Sequence, residues 1–195
     1  PFFQKLRLDR FKMIKIKAST AKVAERVAIV KELTDAEVCV DFNEAFNTFS
    51  DFEPVYRELI THRLKFIEQP FPENRWNEYE RLLKLGEIDV FLDESITSQE
   101  ITPGLKKYCD GINIKLMKSG GIINAKRQLT QAKRLGIKIM LGCMVETSLS
   151  IYNALQLTAF SNYQDLDGFL LLKNDPVKKL IENNGLISIN NLGVD

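Results

Sequence analysis

Short runs of β-branched and apolar residues alternate along this chain with segments of helical periodicity. The runs typical of strands cover residues 13–17, 37–41, 64–68, 89–93, 111–116, 137–142 and 168–172. Residues 20–33 and 125–135 carry apolar side chains at helical spacing, and Gly136 is a stop signal directly after the second segment. Strands that alternate with helices in this way predict a parallel sheet, and therefore an α/β fold.

The predicted strands are evenly spaced. Five of them end at or near a polar residue, namely Lys17, Asp41, Glu68, Asp93 and Lys115, with separations of 22 to 27 residues. Seven units of similar length favour a closed, TIM-like (β/α) barrel over an open doubly wound sheet. Eight units usually take about 250 residues, whereas this chain has 195 and reaches its first strand almost at once. We therefore expect an incomplete barrel, one domain over residues 1–195, that lacks its front.

The composition excludes several classes of function. The net charge is +1, from 27 basic and 26 acidic residues, and this leaves no field that would attract nucleic acid or an anionic membrane. No apolar run approaches the roughly 20 residues of a membrane span. Cys39, Cys109 and Cys143 lack the paired spacing of a metal site and are typical of reduced thiols. These features predict a cytoplasmic protein without nucleic-acid or membrane partners.

The first predicted strand carries two lysines. Lys15 and Lys17 flank Ile16, so both lysines face the same way. If the isoleucines pack on helices, both ammonium groups enter the barrel, where each makes the other harder to charge and so frees an amine to act as a base. An edge strand with its lysines in solvent would have the same pattern, and the motif alone leaves both arrangements open.

Three carboxylates and a further lysine end later strands, where barrels of this kind build their active sites. Buried carboxylates are costly unless they are paired or bind a metal, and the oxygen ligands of Asp41, Glu68 and Asp93 suit Mg²⁺. Taken singly, each would be better explained as a helix cap or loop residue, and only their even spacing favours a metal site. Lys115, which shares a strand face with Asn113, would place a second cation across the barrel.

These motifs resemble those of the enolase superfamily, and within it the muconate-lactonizing and dipeptide-epimerase group. Lys15-Ile16-Lys17 is similar to the K-x-K strand, Asp41-Phe42-Asn43 to D-x-N, Glu68-Gln69-Pro70 to E-Q-P, Asp93-Glu94-Ser95 to D-E-S, and Asn113-Ile114-Lys115 with Lys118 and Gly120-Gly121 to N-x-K-x-x-K-x-G-G. The resemblance extends from residue 13 to the C-terminal Gly193-Val194-Asp195. It implies strands 2 to 8 of the family barrel, without the α+β capping domain that precedes the barrel in this superfamily.

The resemblance also implies a mechanism. It makes Asp41, Glu68 and Asp93 the Mg²⁺ ligands, Lys17 and Lys115 the acid/base catalysts, and Lys15 the residue that tunes Lys17. Family members abstract the proton α to a carboxylate through an enediolate intermediate. So weak a carbon acid needs a divalent cation to take up the developing charge as well as a base. Two bases on opposite faces predict inversion of the stereocentre, and thus an isomerase of the racemase or epimerase type.

The last predicted strands bear on the substrate. Residues 142–147 resemble the seventh-strand segment of dipeptide epimerases, with Cys143 in place of a serine. Asp165 and Asp167 resemble the D-x-D motif by which those enzymes hold the α-ammonium of the substrate, although an acidic turn before a strand would have the same sequence. The other candidate substrate-binding residues are Asn43, Met144 and Glu146.

The sequence therefore predicts Mg²⁺-dependent epimerisation of a small carboxylate, with a dipeptide favoured over other amino-acid derivatives. The alternatives within the same chemistry are o-succinylbenzoate synthase, N-acylamino-acid racemase and muconate cycloisomerase. Outside this chemistry, the alternative is a truncated, inactive barrel that binds Mg²⁺. The exposed edge of an open sheet would favour pairing with a second copy of the chain, so a homo-oligomer is also among the expectations. His62 is the only histidine, which excludes a histidine-based triad or zinc site.

Overall fold

The computed structural model describes residues 8–18 and 22–190. The chain divides into two compact units, the first comprising residues 1–95 and 105–110 and the second residues 96–104 and 111–195. The prediction of a single domain stays a prediction. The C-terminal Gly193-Val194-Asp195 and the first two residues of the predicted helix 20–33 lie outside the described residues.

Parallel strands and helices alternate in the first unit. In chain order they are β1 (Met13–Lys17), α1 (Val23–Leu33), β2 (Glu37–Asp41), α2 (Phe49–Leu59), β3 (Phe66–Glu68), α3 (Trp76–Leu83) and β4 (Asp89–Leu92). Each strand pairs with the next along the chain, and Lys17, Asp41 and Glu68 are in register with one another. The side chains that end β1, β2 and β3 therefore form one row at the carboxyl edge of the sheet.

An aromatic cluster supports this edge. Phe52, on α2, is fully buried, and its ring centroid lies 5.0–5.6 Å from those of Phe42, Phe46 and Phe71. Phe42 directly follows β2, and Phe71 lies three residues after β3. Because edge-to-face ring pairs have preferred geometries, the cluster fixes the path of the chain as it leaves both strands.

Within its described residues, the second unit contains three parallel strands, three α-helices and a hairpin. They are β5 (Gly111–Lys115), α4 (Leu116–Ser119), α5 (Ile122–Leu135), β6 (Lys138–Gly142), α6 (Ser148–Leu155), β7 (Tyr163–Asp165) and the antiparallel pair β8 (Leu180–Asn183) and β9 (Leu186–Ile189). Helix α5 ends as predicted at Gly136, whose φ of 69° is in the left-handed region that glycine adopts without strain. Lys115, Gly142 and Asp165 are in register across β5, β6 and β7.

The seventh strand was predicted wrongly. Residues 167–171, which overlap most of the predicted strand 168–172, form a short 3₁₀ helix, and the strand that pairs with β6 is the more polar Tyr163–Asp165. A short apolar run is equally compatible with a helical turn, and here Leu171 is 73% exposed rather than packed in a sheet. Backbone hydrogen bonds to β6 define β7, and these bonds leave no apolar signal in the sequence.

Two features of the composition can be compared with the structure. Cys39, Cys109 and Cys143 are free thiols. Over the part of the chain that is described, no helix combines the length and the apolar character that a membrane span requires. His62 ends the short 3₁₀ helix Ile60–His62, which directly follows α2.

Candidate active site

Two lysines and two buried carboxylates meet at the ends of β1, β2 and β3. The Nζ atom of Lys17 lies 2.9 Å from Oδ2 of Asp41. The Nζ atom of Lys15 lies 3.6 Å from the same oxygen and 3.4 Å from Oε2 of Glu68. Both lysines therefore approach Asp41 from the same strand face, as the alternation in β1 predicts.

The two lysines differ in their exposure to solvent. The side chain of Lys15 is 14% exposed and that of Lys17 is 65% exposed, whereas Asp41 and Glu68 are 1% and 0% exposed. Lys15 thus serves to balance the charge of buried carboxylates. Lys17, whose side chain is the more exposed, is the lysine that an external molecule reaches more easily.

Asn43 links the row at the strand ends to the segment after β4. Its backbone has a φ of 43°, a left-handed conformation that asparagine tolerates well, and its N–H donates to Oδ1 of Asp41 over 3.0 Å. The side-chain Oδ1 accepts a hydrogen bond from Lys17 over 2.9 Å, and Nδ2 donates to Oε1 of Glu94 over 3.0 Å. Asn43, predicted as a substrate-binding residue, uses both ends of its amide within the protein.

Gln69 holds the end of β4, a role that the sequence did not reveal. It is fully buried with a φ of 40°, and its Oε1 accepts hydrogen bonds from the N–H groups of Asp93 at 2.7 Å and Ser95 at 3.3 Å. Its Nε2 donates to Ser95 Oγ at 2.8 Å and to the carbonyl of Phe71 at 3.0 Å. One amide therefore joins the E-Q-P and D-E-S segments and fixes the backbone on either side of Glu94.

Asp93 and Glu94 are two further acidic side chains near the strand ends, directly after β4. Asp93 is 2% exposed. Burial raises the pKa of Glu94, and the charges of Asp93 and Asp41 raise it further, against the hydrogen bond from Asn43 that lowers it. The other oxygen of Glu94, Oε2, is buried and accepts no hydrogen bond within the described part of the chain.

The carboxylate chemistry of Asp41, Glu68 and Asp93 suits a hard divalent cation. All three carboxylates are almost fully buried, and only oxygen ligands are present, as Mg²⁺ prefers. Lys15 and Lys17 occupy hydrogen-bonding positions on two of these carboxylates. Among residues 8–18 and 22–190, no three acidic, histidine or cysteine side chains are grouped closely enough to hold a metal ion. The magnesium site therefore stays a prediction, supported by chemistry and burial.

The second unit places Lys115 at the end of β5. Lys115 is 8% exposed, and its Nζ lies 3.9 Å from Sδ of Met144. Asn113, two residues earlier, is fully buried and lies directly against Gly142, so that any side chain at position 142 would collide with the Asn113 amide. The glycine at the end of β6 thus leaves room for the side chains of β5.

Carboxylates surround Cys143, just after β6. Burial raises the pKa of the Cys143 thiol to about 12, and the negative charges of Asp165, Asp167 and Glu146 contribute to the rise. Asp165 is half-buried at the end of β7, and Asp167 is exposed at the start of the following 3₁₀ helix. Both aspartates of the D-x-D segment therefore influence Cys143, although only Asp165 belongs to a strand.

The predicted substrate-binding residues Met144 and Glu146 differ in environment. Met144 is 43% exposed. Glu146 is buried; its Oε1 accepts a hydrogen bond from the Met144 N–H over 2.8 Å, and its Oε2 accepts one from the Ser150 hydroxyl. Glu146 thus ties the loop after β6 to α6 within the protein, and its contact with a substrate stays a prediction.

The chain belongs to the enolase C-terminal domain-like family, whose model matches residues 3–185. It is 33% identical to the L-Ala-D/L-Glu epimerase of Bacteroides thetaiotaomicron over 182 residues, which are 93% of this chain and 48% of that protein. The family is therefore one of enzymes, and its named relatives are isomerases. This chain spans about half the length of the curated relatives that it matches.

Solved structures of the same superfamily have a similar fold. An enolase family member from Agrobacterium tumefaciens with homology to dipeptide epimerases, solved with sodium and L-Ala-L-Glu, has a TM-score of 0.83 and 33% identity over 92% of this chain and 54% of its own. A dipeptide epimerase from Methylococcus capsulatus, solved with a Mg ion, has a TM-score of 0.81 and is 30% identical, and the match covers 97% of this chain and 57% of that protein. The strands follow one another in the sheet in chain order, from β1 to β7. Together with these similar structures, this order confirms the predicted fold class, an incomplete TIM-like barrel of the enolase superfamily.

Proposed function

We propose that this chain carries the proton-transfer site of an isomerase that inverts the α-carbon of a dipeptide. The observation that carries the proposal is the row at the strand ends of the first unit, where the largely exposed side chain of Lys17 pairs with the buried Asp41, which is in register with the buried Glu68. A base that solvent molecules can reach, next to ligands of the kind that Mg²⁺ prefers, suits abstraction of a proton α to a carboxylate.

In this proposal Asp41, Glu68 and Asp93 hold Mg²⁺. When bound, the ion supplies positive charge that stabilises the charge developing on the substrate carboxylate. Lys15 lies beside Asp41 and Glu68 and adds a fixed positive charge at the same place. This buried cation contributes to electrostatic stabilisation without itself transferring a proton.

Lys17 and Lys115 transfer the proton. With Lys17 as the neutral amine and Lys115 as the ammonium, Lys17 takes the proton at its Nζ from one face of the α-carbon and Lys115 gives one at the opposite face, which inverts the centre and leaves Lys17 protonated and Lys115 neutral. For the reverse substrate the two roles exchange. The proposal requires both nitrogens to reach the α-carbon within hydrogen-bonding distance in the complex with substrate.

Asp165 and Asp167 favour a substrate with a free ammonium group. Both carboxylates are close enough to Cys143 for their negative charges to raise the pKa of its thiol, and the same charges would attract the ammonium group of a substrate. An N-acylated amino acid or an aromatic acid lacks such a cation. This observation favours dipeptides over the substrates of o-succinylbenzoate synthase, N-acylamino-acid racemase and muconate cycloisomerase.

Deuterium exchange tests the proposed function. The protein is incubated in D₂O with Mg²⁺ and a library of dipeptides, and mass spectrometry follows the gain of one mass unit at an α-carbon. We expect exchange with some dipeptides and none after Mg²⁺ is removed by a chelator. N-acetylated copies of the exchanging dipeptides serve as controls and should exchange more slowly.

The same experiment separates the alternatives. Exchange confined to N-acylated amino acids would favour a racemase of those compounds. If no compound exchanges although Mg²⁺ binds, as measured by calorimetry, this chain by itself is a metal-binding barrel without turnover, and the proposal is wrong for it.

A further inference from the structure

We infer that Glu94 is a positioning residue for Lys17 and acts through the side-chain amide of Asn43. The contacts run in one line within the first unit, from Lys17 Nζ to Asn43 Oδ1 over 2.9 Å and from Asn43 Nδ2 to Glu94 Oε1 over 3.0 Å. The catalytic consequence of this inference rests on the proposed function, whereas the positioning itself can be measured without any substrate.

Glu94 controls which end of the Asn43 amide, the oxygen or the NH₂ group, faces Lys17. An asparagine side chain has an acceptor oxygen on one side and a donor NH₂ group on the other, and rotation by half a turn exchanges them. The Oε1 atom of Glu94 accepts a hydrogen bond from the NH₂ group of Asn43 and so holds that group towards Glu94. The oxygen is thereby directed at the ammonium of Lys17. In the opposite orientation, two donor groups would face each other.

The anchor of this line is rigid. Glu94 lies between Asp93 and Ser95, whose N–H groups both donate to Oε1 of Gln69, so the backbone is fixed on either side of it. Asn43 is held as well, because its own N–H donates to Asp41. With the backbone held at both residues, the hydrogen bond between their side chains sets the orientation of the Asn43 amide.

The line of contacts ends at Lys17, whose side chain is largely exposed. Lys17 is the more exposed of the two lysines on β1, and a long exposed side chain loses considerable conformational freedom when it is held in place. The contact with Asp41 restrains its ammonium from one direction, and the contact with Asn43 supplies a second. Two restraints define a position, whereas one leaves the side chain free to turn about it.

The position of Lys17 can be tested by the rate at which its amine is acetylated. The protein, without substrate, is treated with acetic anhydride at fixed pH, and mass spectrometry gives the rate for each lysine. Loss of one hydrogen bond should raise the Lys17 rate about threefold to tenfold, the equivalent of a typical net hydrogen-bond contribution. We expect this rise in Glu94→Ala, and we expect Glu94→Gln, which keeps an acceptor oxygen, to stay within about twofold of the wild type.

Two further comparisons make the test specific. Asn43→Ala should raise the Lys17 rate as Glu94→Ala does, and the double variant should add nothing to Asn43→Ala, because both changes break one line of contacts. The matched control is Glu80→Gln, since Lys84 is similarly exposed and pairs with Glu80 over 3.0 Å. This variant should change the rate of Lys84 and leave Lys17 as it is.

Several results would overturn the inference. An unchanged Lys17 rate in Glu94→Ala would show that Glu94 does not position it. An equal rise in Glu94→Gln and Glu94→Ala would point to the lost charge rather than to the amide. Multiplicative effects in the double variant would show two independent contacts. Circular dichroism checks folding, and Glu94→Met, which keeps the length but lacks an acceptor, replaces Glu94→Ala if that variant does not fold.

Deuterium exchange then separates this inference from the proposed function. Where the wild type exchanges, Glu94→Ala should slow exchange from the one stereoisomer whose α-proton faces Lys17 and leave the other near the wild-type rate. Equal loss from both stereoisomers would indicate general damage and contradict a positioning role. If the wild type exchanges no dipeptide, the proposed function fails while the acetylation rates still decide whether Glu94 positions Lys17.

Discussion

Gly168 lies so close to the loop after β6 that it has no room for a side chain. A Cβ atom added there would come far inside 3.0 Å of the Met144 carbonyl oxygen, and within 2.9 Å of Cys143 Sγ. Real Cβ atoms essentially never approach other atoms so closely, and a backbone carbonyl cannot rotate away as a side chain can. Gly168→Ala must therefore displace either the 3₁₀ helix after β7 or the loop that carries Met144.

The expected cost is that of forcing one methyl group into a packed site, about 1–3 kcal/mol. Gly104→Ala is the matched control, because the nearest atom to its added Cβ would be Thr102 Oγ1 at 3.8 Å, an ordinary contact. With no collision, the control should be neutral or gain about 0.4–1 kcal/mol from reduced freedom of the unfolded chain.

Urea denaturation followed by far-ultraviolet circular dichroism measures both effects. With a slope of about 1–3 kcal/mol per molar urea, Gly168→Ala should lower the midpoint by about 1 M relative to Gly104→Ala. Equal midpoints for the two variants would refute the close approach at Gly168. They would also remove the reason for a glycine directly after the D-x-D segment.

Three further predictions concern the site and its support. Lys17→Ala and Lys115→Ala should each abolish inversion, and each variant should retain deuterium exchange from at most one of the two stereoisomers. Chiral chromatography with mass detection measures inversion and exchange together. Full activity in either variant would contradict the proposed role of the lysine that it lacks. Asp167→Asn should raise KM for free-amine dipeptides and affect N-acetylated ones much less, and equal KM changes would argue against an ammonium site. Burial alone would raise the pKa of Asp175, but hydrogen bonds from Ser148 and from nearby backbone N–H groups lower it overall. Asp175 therefore stabilises the fold above the pKa of an unfolded aspartate, about 4, and this contribution is lost as the pH falls through the lower folded-state value. Asp175→Asn should be less stable than the wild type in thermal melts at pH 7, and the difference should shrink towards pH 3; a difference independent of pH would contradict the assignment.

Much of the fold follows from local patterns in the sequence. The predicted bounds of β1 and β2 agree with the structure to the residue, because branched apolar residues alternate there and polar residues end the strands. Strand β7 was missed because backbone pairing with β6 defines it, while its residues Tyr163, Gln164 and Asp165 carry no apolar pattern. Strand pairing between distant segments is not encoded in the residues of one segment alone.

For the site as well, the sequence predicted which residues end the strands but not which partners their neighbours contact. The sequence predicted that Lys17, Asp41 and Glu68 end successive strands, and the register of the sheet places them in one row. It did not predict that Gln69 holds the end of β4 or that Asn43 turns its amide between two partners. Amides and carboxylates can serve many partners, and only the three-dimensional arrangement decides which of them they meet.

The isotope content of the newly formed epimer tests the central claim most directly. The protein is given L-Ala-L-Glu and Mg²⁺ in D₂O, and the two epimers are separated and weighed at low conversion. Transfer by two different lysines predicts that nearly every molecule of the new epimer carries one deuterium at the inverted carbon, because the proton removed by one lysine is not the one returned by the other. A new epimer that retains the original protium, or an inverted product formed equally well after Lys17 is replaced by alanine, would contradict the account.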